Sequence, residues 1–121
     1  MLKHPFAEPA PAGGSIGTAL AITSSVIGDQ VSVGLAGEID ATNVDRLRTA
    51  LFAHIDDGRT QVVVDVSGLT FIDCAGLGAI RAAAAHAEVA GGSLRLDGRL
   101  HPPVRRILQL TSASHRSRKI I

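Results

Sequence analysis

The 121-residue chain has a single cysteine, so no disulfide can form within it, and its five histidines fall at no metal-binding spacing. No cofactor or metal is expected. No apolar run approaches the roughly 18 residues needed to span a bilayer, because Arg81 and His86 interrupt the longest candidate. Pro5, Glu8, Pro9 and Pro11 break the opening stretch, which does not read as a signal peptide. The expected setting is the cytoplasm. A formal net charge of +1 gives no general pull toward nucleic acid or an anionic membrane, so neither nucleic-acid binding nor membrane insertion is expected. There is no phosphate-cradling glycine loop, and no recognised surround pairs Cys74 with a histidine base. The chain does not read as an enzyme.

What is present fits one domain. A chain of this length buries roughly two thirds of its unfolded surface in one core and is too short for two ordinary domains. Residues 1–17 are rich in Pro, Gly and Ala without a hydrophobic period, and read as a flexible leader ahead of a domain over residues 18–121. From His101 to Ile121 there are five cationic residues (Arg105, Arg106, Arg116, Arg118, Lys119) and no acidic one, a locally basic end that reads as a solvated face and tail.

Residues 19–26 and 30–36 are short strand-like runs around Gly28-Asp29, which predicts a hairpin. Val44, Leu47, Leu51 and Ile55 then recur at helical spacing over about 42–56, with Asp40 or Thr42 as the expected N-cap and a stop near Asp57-Gly58. The unbroken Val62-Val63-Val64 within 61–66 predicts a central strand covered on both faces. A loop follows, and then an alanine-rich helix over 74–90 whose stripe is Leu77, Ile80, Ala84 and Ala87, stopped by Gly91-Gly92. Gly76 and Gly78 suggest close packing of this helix. Residues 93–96 read as a further strand, and Pro102-Pro103 opens a helix to about 110 with Val104, Ile107 and Leu108 inward. Lys119 to Ile121 could add an edge strand. The fold class is α/β, a four- or five-stranded mixed sheet with helices packed mainly on one face.

The most informative stretch is DVSGLTFIDCAGLGAI, Asp65 to Ile80, which sets strand, loop and helix start in succession. Asp73 stands where a carboxylate can cap free backbone N–H groups, and Cys74 follows at the positive end of the helix dipole. This stretch, with Gly37-Glu38-Ile39-Asp40 before the first helix and PVRRILQL at residues 103–110, resembles the STAS domain (sulfate transporter and anti-sigma factor antagonist) over residues 18 to about 112. The resemblance implies a STAS-type fold and a stand-alone anti-sigma factor antagonist, whose partner is an anti-sigma factor of the serine-kinase type. In such proteins the residue after the aspartate is usually a serine that the kinase phosphorylates, and the added charge weakens docking.

Here that regulatory position is Cys74, and Ala75 lacks a second hydroxyl, so the surface is expected to persist without the phosphate switch. The expected contact residues are Glu38, Asp40, Thr70, Asp73, Cys74, Ala75, Gly76, Gly78 and Arg81, with Ile80 as a possible extension along the helix. Ser67 and Thr70 are candidate surrogate acceptors, with turn-capping hydroxyls as the plainer reading. Asp65 reads as binding loop amides, and the histidines as solvated. Two further readings stand beside the first. A similar STAS domain could dock on the ATPase of a membrane lipid transporter. Alternatively, Cys74 could be a redox-sensing thiol, since a helix N-terminus favours thiolate; Asp73 beside it opposes that.

Overall fold

The computed structural model describes residues 19–111. Alternation of β-branched residues forms the first two strands, β1 (Leu20–Ile27) and β2 (Gln30–Ile39), which pair antiparallel. Gly28 closes their two-residue turn at φ 62°, a left-handed conformation that tight hairpins require. Then follow α1 (Val44–Asp56), β3 (Gln61–Ile72), α2 (Cys74–Val89), β4 (Ser93–Asp97) and α3 (Pro102–Thr111). The sheet order is β1-β2-β3-β4, with β2, β3 and β4 parallel.

Inward residues of the strands (Ile22, Val31, Val33, Leu35, Val62, Val64, Leu94) form one cluster with Leu47, Leu51, Ile55, Leu77, Ile80, Ala84, Ala87, Val104 and Leu108 of the three helices. Each large aliphatic side chain buried there contributes roughly 1.5–3 kcal/mol. The opposite face of the sheet carries exposed Ala21, Thr23, Ala36 and Asp65. Covering on both faces, expected from the valine run, is therefore corrected: the helices share a core with one face, although Val63 on the other is only 9% exposed. Lys119 to Ile121 and the leader lie outside the described residues, among which the sheet has four strands.

Three local expectations are revised. First, β3 does not give way to a loop after Val66 but runs to Ile72, leaving only Asp73 before α2. Its pairing with β2 carries two register shifts, at Gly34/Ala36 and Gly37/Glu38, each placing an extra residue on β3. Every such bulge flips which residues face inward, so Leu69 and Ile72 reach the core from positions a strict alternation would divide. Second, the N-cap of α1 is Asn43, not Asp40 or Thr42. Asp40 Oδ1 instead accepts from the Thr42 backbone N–H at 2.9 Å, forming a turn just before the helix. Third, His54 is 3% exposed rather than solvated. It lies three residues after Leu51 and seven after Leu47, on the buried face of α1.

Burial, and to a lesser extent the Arg59 charge, push the His54 pKa below its ordinary value of 6.5. The folded state thus favours neutral imidazole. Its contribution to stability is complete above pH 6.5 and declines as pH falls toward the depressed folded-state value, because the unfolded chain binds the proton first. Urea midpoints measured at pH 7.5 and 5.5 should therefore fall with acidity, and His54→Leu should reduce that fall. An unchanged pH dependence in the variant would assign it elsewhere.

Candidate docking surface at the start of α2

Because β2 and β3 are parallel, their C-terminal ends emerge side by side, with Glu38 opposite Phe71 and Ile39 opposite Ile72. Each strand leads into a helix at that edge. The Asp73 backbone N–H donates to Ile39 O at 3.2 Å, which ties the start of α2 to the end of β2. Glu38 and Asp40 are thereby brought to the same edge as Cys74, as the sequence reading expects.

Asp73 sits in extended geometry (φ −106°, ψ −172°), and its Oδ1 accepts from the Gly76 N–H at 3.0 Å. This is an N-cap, worth about 1 kcal/mol on replacement by alanine. Asp73→Ala should lower the unfolding free energy by about that amount in a urea titration, with an unchanged m-value. Cys74, next in the chain, is exposed.

The two glycines of this helix have different reasons. Gly76 is buried, and a Cβ there would stand 2.6 Å from Ile72 Cγ1 and 2.7 Å from Ile39 Cγ2. It is therefore a packing residue, which corrects its expected place on the contact surface. Gly78 is exposed, with nothing within 4 Å of where a Cβ would be. No contact within the described residues requires a glycine, so the packing explanation fails there. Ile80 is buried and cannot extend the surface, Arg81 is half-buried, and Ala75 is half-buried against the core.

Thr70 and Ser67 lie in β3, not in a loop. The Thr70 hydroxyl donates to Gly37 O at 3.1 Å, and the Ser67 hydroxyl donates to Asp65 Oδ1 at 2.7 Å. Asp65 also accepts from the Ser67 N–H at 2.9 Å, and these two bonds hold its carboxyl below the usual range. Asp65 binds a backbone amide as foreseen, that of Ser67, whereas the turn-capping expected of Ser67 and Thr70 is corrected: both lie within β3, and the Thr70 hydroxyl bonds across to β2.

Phe71 is absent from the sequence-derived site, yet it is 40% exposed, beside Glu38. The signal was obscured by the bulge between Leu69 and Phe71, which turns the aromatic outward. The outward face of α2 shows a second overlooked feature. Cys74, Gly78 and Ala85 are exposed, Ala82 is half-buried, and Val89 is 87% exposed, so a row of small side chains ends on a bare valine. Positions four apart stack along one face, and a helix this slender admits another backbone closely.

Comparison with known proteins decides the family. The Mlab STAS domain family matches residues 23–120, most of the chain. The protein belongs to the STAS domain family. Among curated proteins no significant match is found. Solved structures share this STAS fold. An anti-sigma factor antagonist from Mycobacterium paratuberculosis aligns with TM-score 0.69 at 24% identity, covering 78% of this chain and 80% of that one. The anti-sigma factor antagonist SpoIIAA in its unphosphorylated form gives 0.68 at 24%, covering 76% and 81%. The Bacillus cell fate determinant SpoIIAA in its phosphorylated form gives 0.62 at 22%, covering 75% and 83%. No helix among the described residues of this STAS domain is long and apolar enough to cross a membrane.

Proposed function

We propose that this STAS domain acts in the cytoplasm by recognition rather than catalysis, as an antagonist that docks on a kinase-type anti-sigma factor through the start of α2. The observation that carries the reading is the exposed Gly78, one turn beyond Cys74, at a position where nothing among the described residues calls for glycine. A glycine inside a helix costs about 1 kcal/mol relative to alanine. Its use is accounted for if a partner backbone lies there. Phe71, opposite Glu38 near the end of β3, supplies an apolar anchor, while Glu38, Asp40 and Asp73 give the edge an acidic rim. Thr70 and Arg81 flank the contact, and Ala75 supports it from below.

Phosphate control is absent from this design. Cys74 occupies the position of the acceptor serine, and the hydroxyls of Ser67 and Thr70 are held by Asp65 and by the Gly37 carbonyl. Incubation with the cognate kinase and ATP should leave the intact mass unchanged, whereas Cys74→Ser should gain one phosphate. Stoichiometric phosphate on the unaltered chain would overturn this part of the proposal.

A second reading follows from the description of the matching family, which is the Mlab STAS domain and not the antagonists. The partner would then be the ATPase of a membrane lipid transporter, docked on the same edge. Affinity capture from native cytosol and membranes separates the two. An anti-sigma kinase in the eluate supports the first, and a transporter ATPase replaces it with the second. A Cys74 redox switch predicts that mild peroxide releases whichever partner is captured, and Cys74→Ala should abolish that release.

A further inference from the structure

The two edges of the sheet are protected unequally. At one edge β4 has five residues and exposes Arg95 and Asp97, a short length and a charged surface that both discourage another strand from pairing there. At the other edge β1 runs for eight residues, LAITSSVI, with no charge and no proline. The two-residue turn makes Ile27 and Gln30 the closing hydrogen-bonded pair, so Ala21, Thr23, Ser25 and Ile27 turn their backbone groups toward β2, while Leu20, Ile22, Ser24 and Val26 turn theirs to the free side. Two contacts agree with this. Ala19 O accepts from the Glu38 N–H of β2 at 3.0 Å, whereas Leu20 O accepts from Arg46 Nη2 at 2.7 Å. No strand among the described residues pairs with that free side.

The order of side chains along β1 indicates what fits there. Counted outward from Ser24, Thr23 and Ser25 both carry hydroxyls, Ile22 and Val26 are both β-branched aliphatics, and Ala21 and Ile27 are both apolar. A strand with this mirror order, paired antiparallel about a twofold axis, meets its own copy like against like. Ser24 adds an independent observation: it is only 7% exposed, and its hydroxyl has no hydrogen-bond partner among the described residues. A buried, unpaired hydroxyl is destabilising. On the axis the Ser24 side chains of two copies stand directly opposite one another, where each hydroxyl can bond the other. Ile27, 77% exposed, gains Ala21 of the second copy as a neighbour.

We propose that β1 pairs antiparallel with β1 of a second copy of this chain, centred on Ser24, joining two four-stranded sheets into one of eight strands. Ile22, Ser24 and Val26 then exchange backbone hydrogen bonds with Val26, Ser24 and Ile22 of the second copy. Leu20 falls opposite the turn at Gly28 in this register and keeps its bond to Arg46, whereas a pair centred on Thr23 would set Leu20 against Val26 and displace that bond. Association stops at the dimer, because the edges left over are the two protected β4 strands.

The test follows the full chain by sedimentation velocity from about 10 µM to about 1 mM, the range of a small interface. A monomer–dimer equilibrium is expected. Thr23→Lys with Ser25→Lys, both at exposed positions, brings like charges together across the axis and should raise the dissociation constant at least about tenfold. Thr23→Lys with Ser25→Glu brings opposite charges together at the same places and should return it to within about threefold of the parent. Ala36→Lys, exposed on the open face of β2 but away from the edge, should leave the equilibrium unchanged, which separates edge pairing from the packing of two open faces. Melting curves establish that each variant is folded. A chain that stays monomeric throughout or forms larger assemblies, a dimer weakened equally by both double variants, or one lost in Ala36→Lys overturns the proposal. The start of α2 takes no part in this contact, so such a failure leaves the Gly78 reading standing.

Discussion

Gly92→Ala is expected to destabilise the protein by about 3 kcal/mol, the upper end of the cost of forcing extra atoms into a packed interior. An alanine Cβ at this position would lie 2.0 Å from Thr60 O and 2.6 Å from Thr60 C. The clash is with backbone, so no rotamer change relieves it. The backbone is also pinned at this residue and the next: Gly92 N–H donates to Ala87 O at 2.8 Å, and Ser93 N–H donates to the same Thr60 O at 3.0 Å. Relief requires opening either the last turn of α2 or the entry to β4. For a domain of this size the melting temperature should fall by more than about 10 °C, measurable by circular dichroism. Gly91, at φ 92° with open space around it, offers the contrast, since alanine there meets only backbone strain. A Gly92→Ala melting point equal to that of the parent would show that this turn yields more than its hydrogen bonds suggest.

The second large effect separates stability from recognition. Gly78→Glu replaces a poor helix former with a good one at an exposed site, and should stabilise the folded domain by about 0.5–1 kcal/mol. Partner binding should move the other way. A charged side chain at the centre of a close contact blocks approach and loses its hydration, an effect of about 3 kcal/mol or roughly a hundredfold in affinity. Calorimetric titration with the captured partner, alongside a melting curve, reads both quantities from one variant. Equal affinity for parent and variant would remove Gly78, and with it the α2 face, from the interface.

The contrast between Gly76 and Gly78 marks where sequence reading stops. Helix and hairpin periods were legible because each element buries one face: Val31, Val33 and Leu35 in β2, and Leu47, Leu51 and Ile55 in α1, lie where their spacing puts them. The cap at Asp73 was legible because capping depends on a local carboxylate and a nearby amide. Two glycines separated by one residue carry no such distinction. One is forced by Ile39 and Ile72, residues contributed by two different strands, and the other faces open space.

The course of β3 was hidden for a related reason. Its two bulges are set by pairing with β2, so the facing of Leu69, Phe71 and Ile72 depends on a partner strand more than thirty residues away in sequence. The exposed phenylalanine was missed with them. His54 was missed through composition, because a histidine in a polar-looking helix end was read by type when its spacing from Leu47 and Leu51 already placed it inward.

That β3 reaches to within one residue of Cys74 has a mechanical consequence. The proposed contact tip has no hinge of its own, because a shift of Asp73 must be transmitted into the middle of the sheet. Association is then expected to resemble the meeting of preformed shapes, with differences between partners appearing as residence time and not as encounter speed.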